Sequence, residues 1–480
     1  MKNNFKTLTA IVVTSVFLTA CSNDIGGGTT ASSHYFVGDD GTTGFELYKT
    51  DGTDAGTVLV KDINTTSEVA GSHPNNLIYI GDTLFFNASD GINGQELWKS
   101  DGTEAGTVLV KDINTIGGSY PSNLANINGT LFFTALDGPH GWELWKSDGT
   151  QAGTVLVKDI KSTPATDSSR PSELINVNGT LFFKADDGEN GQELWKTDGT
   201  EAGTVLVKDI HMTGSSNPSR FAYINGTLFF SANDGSTGYE LWTSDGTDIG
   251  TVLLKDINAT GPALSSTPAN FMDVNGTVFF SADNGLNGNE LWKTDGTEAG
   301  TVLVKNINTT AATAHSYPGD FTVMNDTLFF SATDANGNEL WKSDGTEAGT
   351  VMVRDINMTT NTASSYPYDI STVNNMLFFK ANDGVNGQEL WKSDGTEAGT
   401  VMVKDINTTP AVGSRSYLWS RNYSSVINVE PLIFTDGRLL FHANDGVTEL
   451  EIYITDGTNS GTSIIKDLNP NTGQGSYINK

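Results

Sequence analysis

The feature that most constrains this chain is an eight-residue unit, Glu-Leu-Trp-x-x-Asp-Gly-Thr, that returns nine times. Its glutamates are Glu46, Glu96, Glu143, Glu193, Glu240, Glu290, Glu339, Glu389 and Glu451, with steps of 50, 47, 50, 47, 50, 49, 50 and 62 residues. By length alone, 480 residues could hold two or three domains. A period near fifty overrides that prior and points to a solenoid, a propeller or an array.

Within one period, four short apolar segments have strand length and strand composition: Leu124 to Ile127, Thr130 to Ala135, Glu143 to Lys146 and Thr154 to Ile160. The first two meet at Asn128-Gly129, a pair that adopts positive φ cheaply and so predicts a tight antiparallel hairpin. Asn178-Gly179, Asn225-Gly226, Asn275-Gly276 and Asp436-Gly437 repeat the signal, and Gly81-Asp82, Asn325-Asp326 and Asn374-Asn375 are weaker forms of it. The last two segments are joined by Asp-Gly-Thr-Glu-Ala-Gly-Thr, as in Asp101 to Thr107, where a short acceptor side chain can bond turn amides.

Apolar residues do not alternate along these strands. Leu131-Phe132-Phe133, Leu144-Trp145 and Val155-Leu156-Val157 place large side chains on both faces, so each sheet requires a neighbour on each side. Radially packed four-stranded blades meet that demand, and the expectation is an all-β propeller of four-stranded antiparallel blades. A parallel solenoid is second, and the Asn-Gly hairpins argue against it. Eight full units run from Leu77 to Leu468, while the first copy, His34 to Ile63, has only its last three strands. The tail Gly475-Ser476-Tyr477-Ile478-Asn479 resembles the segment that precedes a first strand, which predicts nine blades closed by pairing the two ends. An eight-bladed ring with an appended three-stranded piece is the alternative, since propellers typically have four to eight blades.

Trp98, Trp145, Trp195, Trp242, Trp292, Trp341 and Trp391 occupy the motif, with Tyr48 and Tyr453 in the terminal copies. An aromatic at the same point of every repeat is most simply a blade-to-blade packing element. The loop joining the third and fourth segments resembles the Asp-box turn of other propellers. At Glu96 to Thr103, E-L-W-K-S-D-G-T, the chain resembles the ELWxxDGT-repeat family of bacterial exported proteins across nearly everything after Ser33. Glu46-Leu47-Tyr48 and Glu451-Ile452-Tyr453 depart from that pattern. The family is defined by its repeat and implies no particular activity.

At the amino terminus, Lys2 and Lys6 precede a short apolar run from Leu8 to Phe17, the pattern of a secretion signal rather than a spanning helix. Leu18-Thr19-Ala20-Cys21 resembles the lipobox of bacterial lipoproteins. That resemblance implies a signal peptide over 1–20, acylation of Cys21, a flexible linker over 21–33 and a repeat domain over 34–480. Cys21 is the only cysteine, so no internal disulfide and no thiolate cluster can form. Several acyl chains would anchor the protein stably, on the outer membrane or cell surface or facing the periplasm. Formal charge is −30, and cleavage after Ala20 removes Lys2 and Lys6 and no acid, leaving −32. Such a surface repels nucleic acid and anionic headgroups.

Few positions offer chemistry. The six histidines, His34, His73, His140, His211, His315 and His442, show no metal-ligand spacing, and no phosphate loop, zinc-protease helix or nucleophile elbow occurs. Asp-Gly-x-Asn-Gly-x-Glu, as in Asp90 to Glu96, Asp187 to Glu193 and Asp383 to Glu389, sets two carboxylates and an amide near one connection, a ligand set that suits calcium. The loops between blades and after the second strand share one face, and the tight turns share the other, so the variable face is the expected binding face. The 62-residue step adds Arg415, Tyr417, Trp419, Arg421 and Tyr423. Trp419 and Trp142 are the tryptophans outside the motif, and exposed aromatics with arginines can stack on sugars or anchor a protein. The expected function is a membrane-anchored, non-enzymatic binding scaffold for glycans or proteins. A carbohydrate lyase or hydrolase and a calcium-stiffened adhesion or coat component are the alternatives.

Overall fold

Both residues of the Asn128-Gly129 junction have positive φ, 51° and 84°, the geometry of a two-residue turn whose twist matches the flanking strands. Asn325-Asp326 and Asn374-Asn375 adopt the same conformation without glycine, at φ 49° and 59° and at 49° and 57°. In the computed structural model, residues 33–67, 70–162, 167–408, 428–433, 437–445 and 450–470 are described. Among them the chain forms nine consecutive antiparallel sheets, one of three strands followed by eight of four. They make a nine-bladed β-propeller.

Blade 3 shows the plan. Its strands are Ser122–Ile127, Thr130–Leu136, Trp142–Ser147 and Val155–Lys158, paired in chain order. The first strands of successive blades lie against one another and form the innermost layer of the ring. The lack of alternation along the second strand now has its reason. Phe133 and Trp145 pack against Phe85, Leu97 and Val110 of blade 2, whereas the adjacent Phe132 and Leu144 pack against Leu181, Phe183 and Trp195 of blade 4. Both faces of every blade are therefore core.

Motif tryptophans are buried at these interfaces, and lysines tie the blades together. Lys111, at the end of blade 2, donates to the Thr154 carbonyl of blade 3 at 2.8 Å and lies 5.6 Å from the centre of the Trp145 ring. Lys158 repeats both contacts with Thr204 and Trp195.

The same link closes the ring. Lys466 of blade 9 donates to the Thr57 carbonyl of blade 1 at 3.0 Å. Phe36 and Tyr48 of blade 1 pack with Leu440, Ile452, Ile465 and Leu468 of blade 9, while Tyr35, Val37 and Leu47 pack with Leu84 and Phe86 of blade 2. The three-stranded sheet is thus a member of the ring, and the eight-bladed alternative with an appended piece is set aside. The tail proposed to complete that sheet, residues 471–480, lies outside the described residues, as do the signal peptide, Cys21 and nearly all of the linker.

The Asp-Gly-Thr turn is held by its own side chains. Asp101 Oδ1 accepts from the Thr103 amide at 2.9 Å and hydroxyl at 2.7 Å, and Thr103 Oγ1 accepts from the Gly106 amide at 2.9 Å. A Cβ on Gly106 would stand 2.0 Å from Asp101 Oδ1, which is why the second glycine of the turn is needed. Threonine holds the Asp101 carboxyl below its ordinary range.

Candidate functional site

The motif glutamate is the centre from which the variable face is built. Glu96 is fully buried. Its carboxylate accepts from the Ile113 amide at 3.0 Å and the Ser119 amide at 2.7 Å, and also from the Ser119 hydroxyl. One side chain on the third strand thereby clamps the connection into the next blade. Glu143 does the same through Ser169, Glu193 through Ser216, Glu240 through Ser266 and Glu339 through Ser365. Burial outweighs these donors and lifts the carboxyls of Glu143, Glu240, Glu290 and Glu339 to about 7.

This accounts for the carboxylates read as calcium ligands. Glu96, Glu193 and Glu389 are buried clamps rather than loop ligands. Asp90 Oδ1 accepts from the Ile92 and Asn93 amides, and its Oδ2 accepts from the Asn93 side chain at 2.7 Å. Among the described residues no three histidine, cysteine, aspartate or glutamate side chains converge on a metal position.

The clamp has a second consequence. In blade after blade the clamped serine and a buried proline, such as Ser119 and Pro121, flank one residue forced into the left-handed region. The flanked residues are His73, Tyr120, Arg170, Asn217, Thr267, Tyr317 and Tyr366, with φ between 45° and 50°. Non-glycine residues seldom adopt this conformation, and a β-branched one such as Thr267 least of all. Here two anchored neighbours impose it. Side chains at this position stand out from the variable face: Tyr120, Tyr317 and Tyr366 are 51%, 63% and 60% exposed.

Trp142, singled out in the sequence, lies beside this ring. It opens the third strand of blade 3, and its ring is 6.4 Å from that of Tyr120. Its carbonyl accepts the Arg170 amide at 3.1 Å, and its own amide donates to the Ser168 hydroxyl at 3.0 Å. Two residues earlier, His140 Nδ1 is 2.6 Å from Asp137 Oδ2, a contact that raises the imidazole pKa. The Tyr120 and Trp142 rings thus meet at the border of blades 2 and 3, and the exposed Arg170 is tied to the Trp142 strand through its backbone at the border of blades 3 and 4. Across the face, His315 stacks on Tyr317 at 4.9 Å, with planes 10° apart, and Phe45 meets His73 at 5.5 Å.

The remaining sequence candidates, Arg415, Tyr417, Trp419, Arg421 and Tyr423, lie outside the described residues, so Trp142 is the one candidate placed. Tyr120, Tyr317, Tyr366 and Arg170 escaped sequence reasoning because their shared signal is positional. They are the variable residue of a recurring Ser-x-Pro.

Ionisable groups also break the repeat at the inner rim of blades 7 and 8. Lys380 is buried and pairs with Asp369 at 2.6 Å, its ammonium 4.5 Å from the centre of the Tyr368 ring. Asp320 accepts the Asp369 amide at 3.2 Å, and burial raises the Asp320 carboxyl.

No family model matches the chain, and no curated protein does. Solved structures similar to it include a puromycin hydrolase at 12% identity and TM-score 0.40, matched over 79% of this chain and 59% of that one. A structure from a mechanistic study of two prolyl endopeptidases matches at 9% identity and TM-score 0.41, over 80% and 54%. A puromycin-hydrolyzing peptidase of Mycobacterium tuberculosis matches at 11% and 0.38, over 77% and 57%. The chain spans less than two thirds of the length of each, and likenesses at these TM-scores do not bear on the site.

Proposed function

We propose that this protein is a membrane-anchored, non-enzymatic β-propeller that binds a glycan or a protein through its variable face, outside the cell or in the periplasm. The observation that carries this reading is the group formed by Tyr120, Trp142 and Arg170. An exposed tyrosine packs near a half-buried tryptophan, and an exposed arginine is joined to that tryptophan's strand by a backbone hydrogen bond. Such a group offers flat apolar area and a forked donor at little entropic cost, which suits sugar rings and protein hot spots alike. Anchoring rests on Leu18-Thr19-Ala20-Cys21, and its check is incorporation of labelled palmitate that Cys21→Ala abolishes.

The binding test compares the wild type with Trp142→Ala on a glycan array and in a cell-surface pull-down. Binding that Trp142→Ala loses while its melting temperature holds supports the reading. Blank results for the wild type in both assays remove it.

A second reading, a carbohydrate-active enzyme, draws on Asp320, Asp369 and Lys380, which gather at the channel as paired carboxylates and a buried cation. Release of reducing ends from a polysaccharide panel, lost in Asp320→Asn, would favour it. No release from any polysaccharide would leave the binding reading alone.

A further inference from the structure

A belt of side chains runs around the inner layer of the ring. The second residue of each first strand from blade 2 to blade 8 is left-handed: Asn76, Asn123, Glu173, Arg220, Asn270, Asp320 and Asp369 have φ between 52° and 60°. Held this way, five of the seven side chains bond the following blade. Asn76 donates to the Pro121 carbonyl at 3.2 Å, Asn123 to Pro171 at 3.5 Å and Asn270 to Pro318 at 3.1 Å. The acids use the opposite polarity: Glu173 accepts the Arg220 amide at 2.8 Å, and Asp320 accepts the Asp369 amide at 3.2 Å.

Of the six links between blades 2 and 8, one is missing. Among the described residues, no side chain of blade 5 bonds the Pro268 carbonyl or the Asn270 amide; the belt residue of blade 5 is Arg220, whose guanidinium does not take up the carbonyl. There a cavity of about 530 Å³ opens, lined by Arg220, Phe221 and Ala222 from one blade and Ala269, Asn270 and Phe271 from the next. Arg220 is exposed, and among the described residues its guanidinium makes no ion pair or hydrogen bond. Most cations of this chain have structural work, as Lys111, Lys158 and Lys466 do. An unpaired guanidinium in a chain of net charge −30, at a strained position where asparagine completes the belt elsewhere, has no structural reason to be there.

We infer that this gap is a ligand site, separate from the Trp142 group, for a small molecule that carries a carboxylate on a ring. Arg220 takes the carboxylate through two parallel N–H donors. Phe221 and Phe271, both half-buried, supply apolar surface for the ring. A volume of this size accepts one or two sugar residues or one aromatic acid. A hexuronic acid and an aromatic carboxylate share this chemistry.

Calorimetric titration of the full chain with a galacturonate dimer, with benzoate and with a neutral hexose dimer tests the site. The key variant is Arg220→Asn, which places at blade 5 the residue found at blades 2, 3 and 6. It is expected to fold, to melt no lower than the wild type and to lose carboxylate binding at least tenfold. Phe271→Ala is expected to weaken binding several-fold, and Trp142→Ala to leave it unchanged. Galacturonate binding that Arg220→Asn abolishes identifies an acidic sugar, and the same result with benzoate identifies an aromatic acid. Equal binding of the neutral dimer, retained affinity in Arg220→Asn, or no binding of either acid at 10 mM overturns the inference.

Discussion

Truncating a motif tryptophan tests the packing that holds the ring. Trp195 is 6% exposed and lies among Phe132, Leu144, Val157 and Ile160 of blade 3 and Leu181 and Phe183 of its own blade. The ammonium of Lys158 is 5.9 Å from its ring centre. Trp195→Ala loses the buried indole and leaves a cavity between two blades, about 3–5 kcal/mol, and with it a cation–π contact worth about 0.5–1 kcal/mol. Unfolding entropy of about 2.1 cal/mol/K per residue, over roughly 440 residues, amounts to about 0.9 kcal/mol/K. A loss of about 4 kcal/mol then lowers the melting temperature by about 4–5 °C in scanning calorimetry. Trp195→Phe separates shape from hydrogen bonding. The indole Nε1 is buried without a partner, so removing it gives up no hydrogen bond and relieves a desolvated donor. The phenylalanine variant is expected within about 2 °C of the wild type. A Trp195→Ala protein that melts with the wild type, or a phenylalanine variant as damaged as the alanine one, refutes this account.

Three further outcomes follow from the same contacts. The clamp carboxyls of Glu46, Glu143, Glu240, Glu290, Glu339 and Glu389 stand at about 7 against an ordinary 4.5, so the folded state holds protons that the unfolded state releases. Their contribution is complete below pH 4.5 and lost as pH rises to 7, whereas the lowered turn aspartates, such as Asp101 and Asp198, lose theirs as pH falls below 3.8. Melting temperature is therefore expected to peak near pH 4–4.5, to decline toward 7 and to level above it; a steady rise from pH 5 to 8 contradicts the clamp. Because the oxygens of Asp90 already have protein donors, chelation of calcium is expected to leave the melting temperature unmoved, and a rise of several degrees on adding calcium would count against that arrangement. Deleting residues 471–480 is expected to lower stability sharply, since Ser476 follows Glu451 by 25 residues, close to the 23 or 26 that separate each clamp glutamate from its serine; a negligible effect would leave closure to the packing of blade 9 on blade 1 alone.

The ring was legible in the sequence because its determinants are local. Asn128-Gly129 specifies a hairpin by φ alone, and Phe132 beside Phe133 requires core on both sides of one strand. The role of the motif glutamate was not legible for the opposite reason. Glu96 is two residues from the Asn93-Gly94 turn pair in sequence but meets Ser119 in space, 23 residues on, and nothing in the Asp90–Glu96 segment announces that partner. Tyr120, Tyr317 and Tyr366 stayed hidden because a repeat is recognised by what recurs, and the exposed site of each unit is the residue that does not. The five residues of the long step, Arg415 to Tyr423, drew notice by breaking the period, as did Trp142.

The two left-handed positions at the start of blades 2 to 8 explain how a regular scaffold can carry irregular function. In most proteins a non-glycine residue at positive φ is selected for that conformation, and asparagine or aspartate is favoured there. Here Thr267 and Arg170 hold φ 47° and 49°, although neither side chain assists the backbone. The conformation must come from the clamped serine and buried proline on either side, so the residue between them is released from any structural demand except exposure. The belt position differs, because asparagine there also bonds the next blade. A residue that does not make that bond, as Arg220 does not, forfeits ring stability at its own link. Substitution is therefore cheap on the outer ring and costly on the belt, and an exception on the belt is the stronger sign of a ligand.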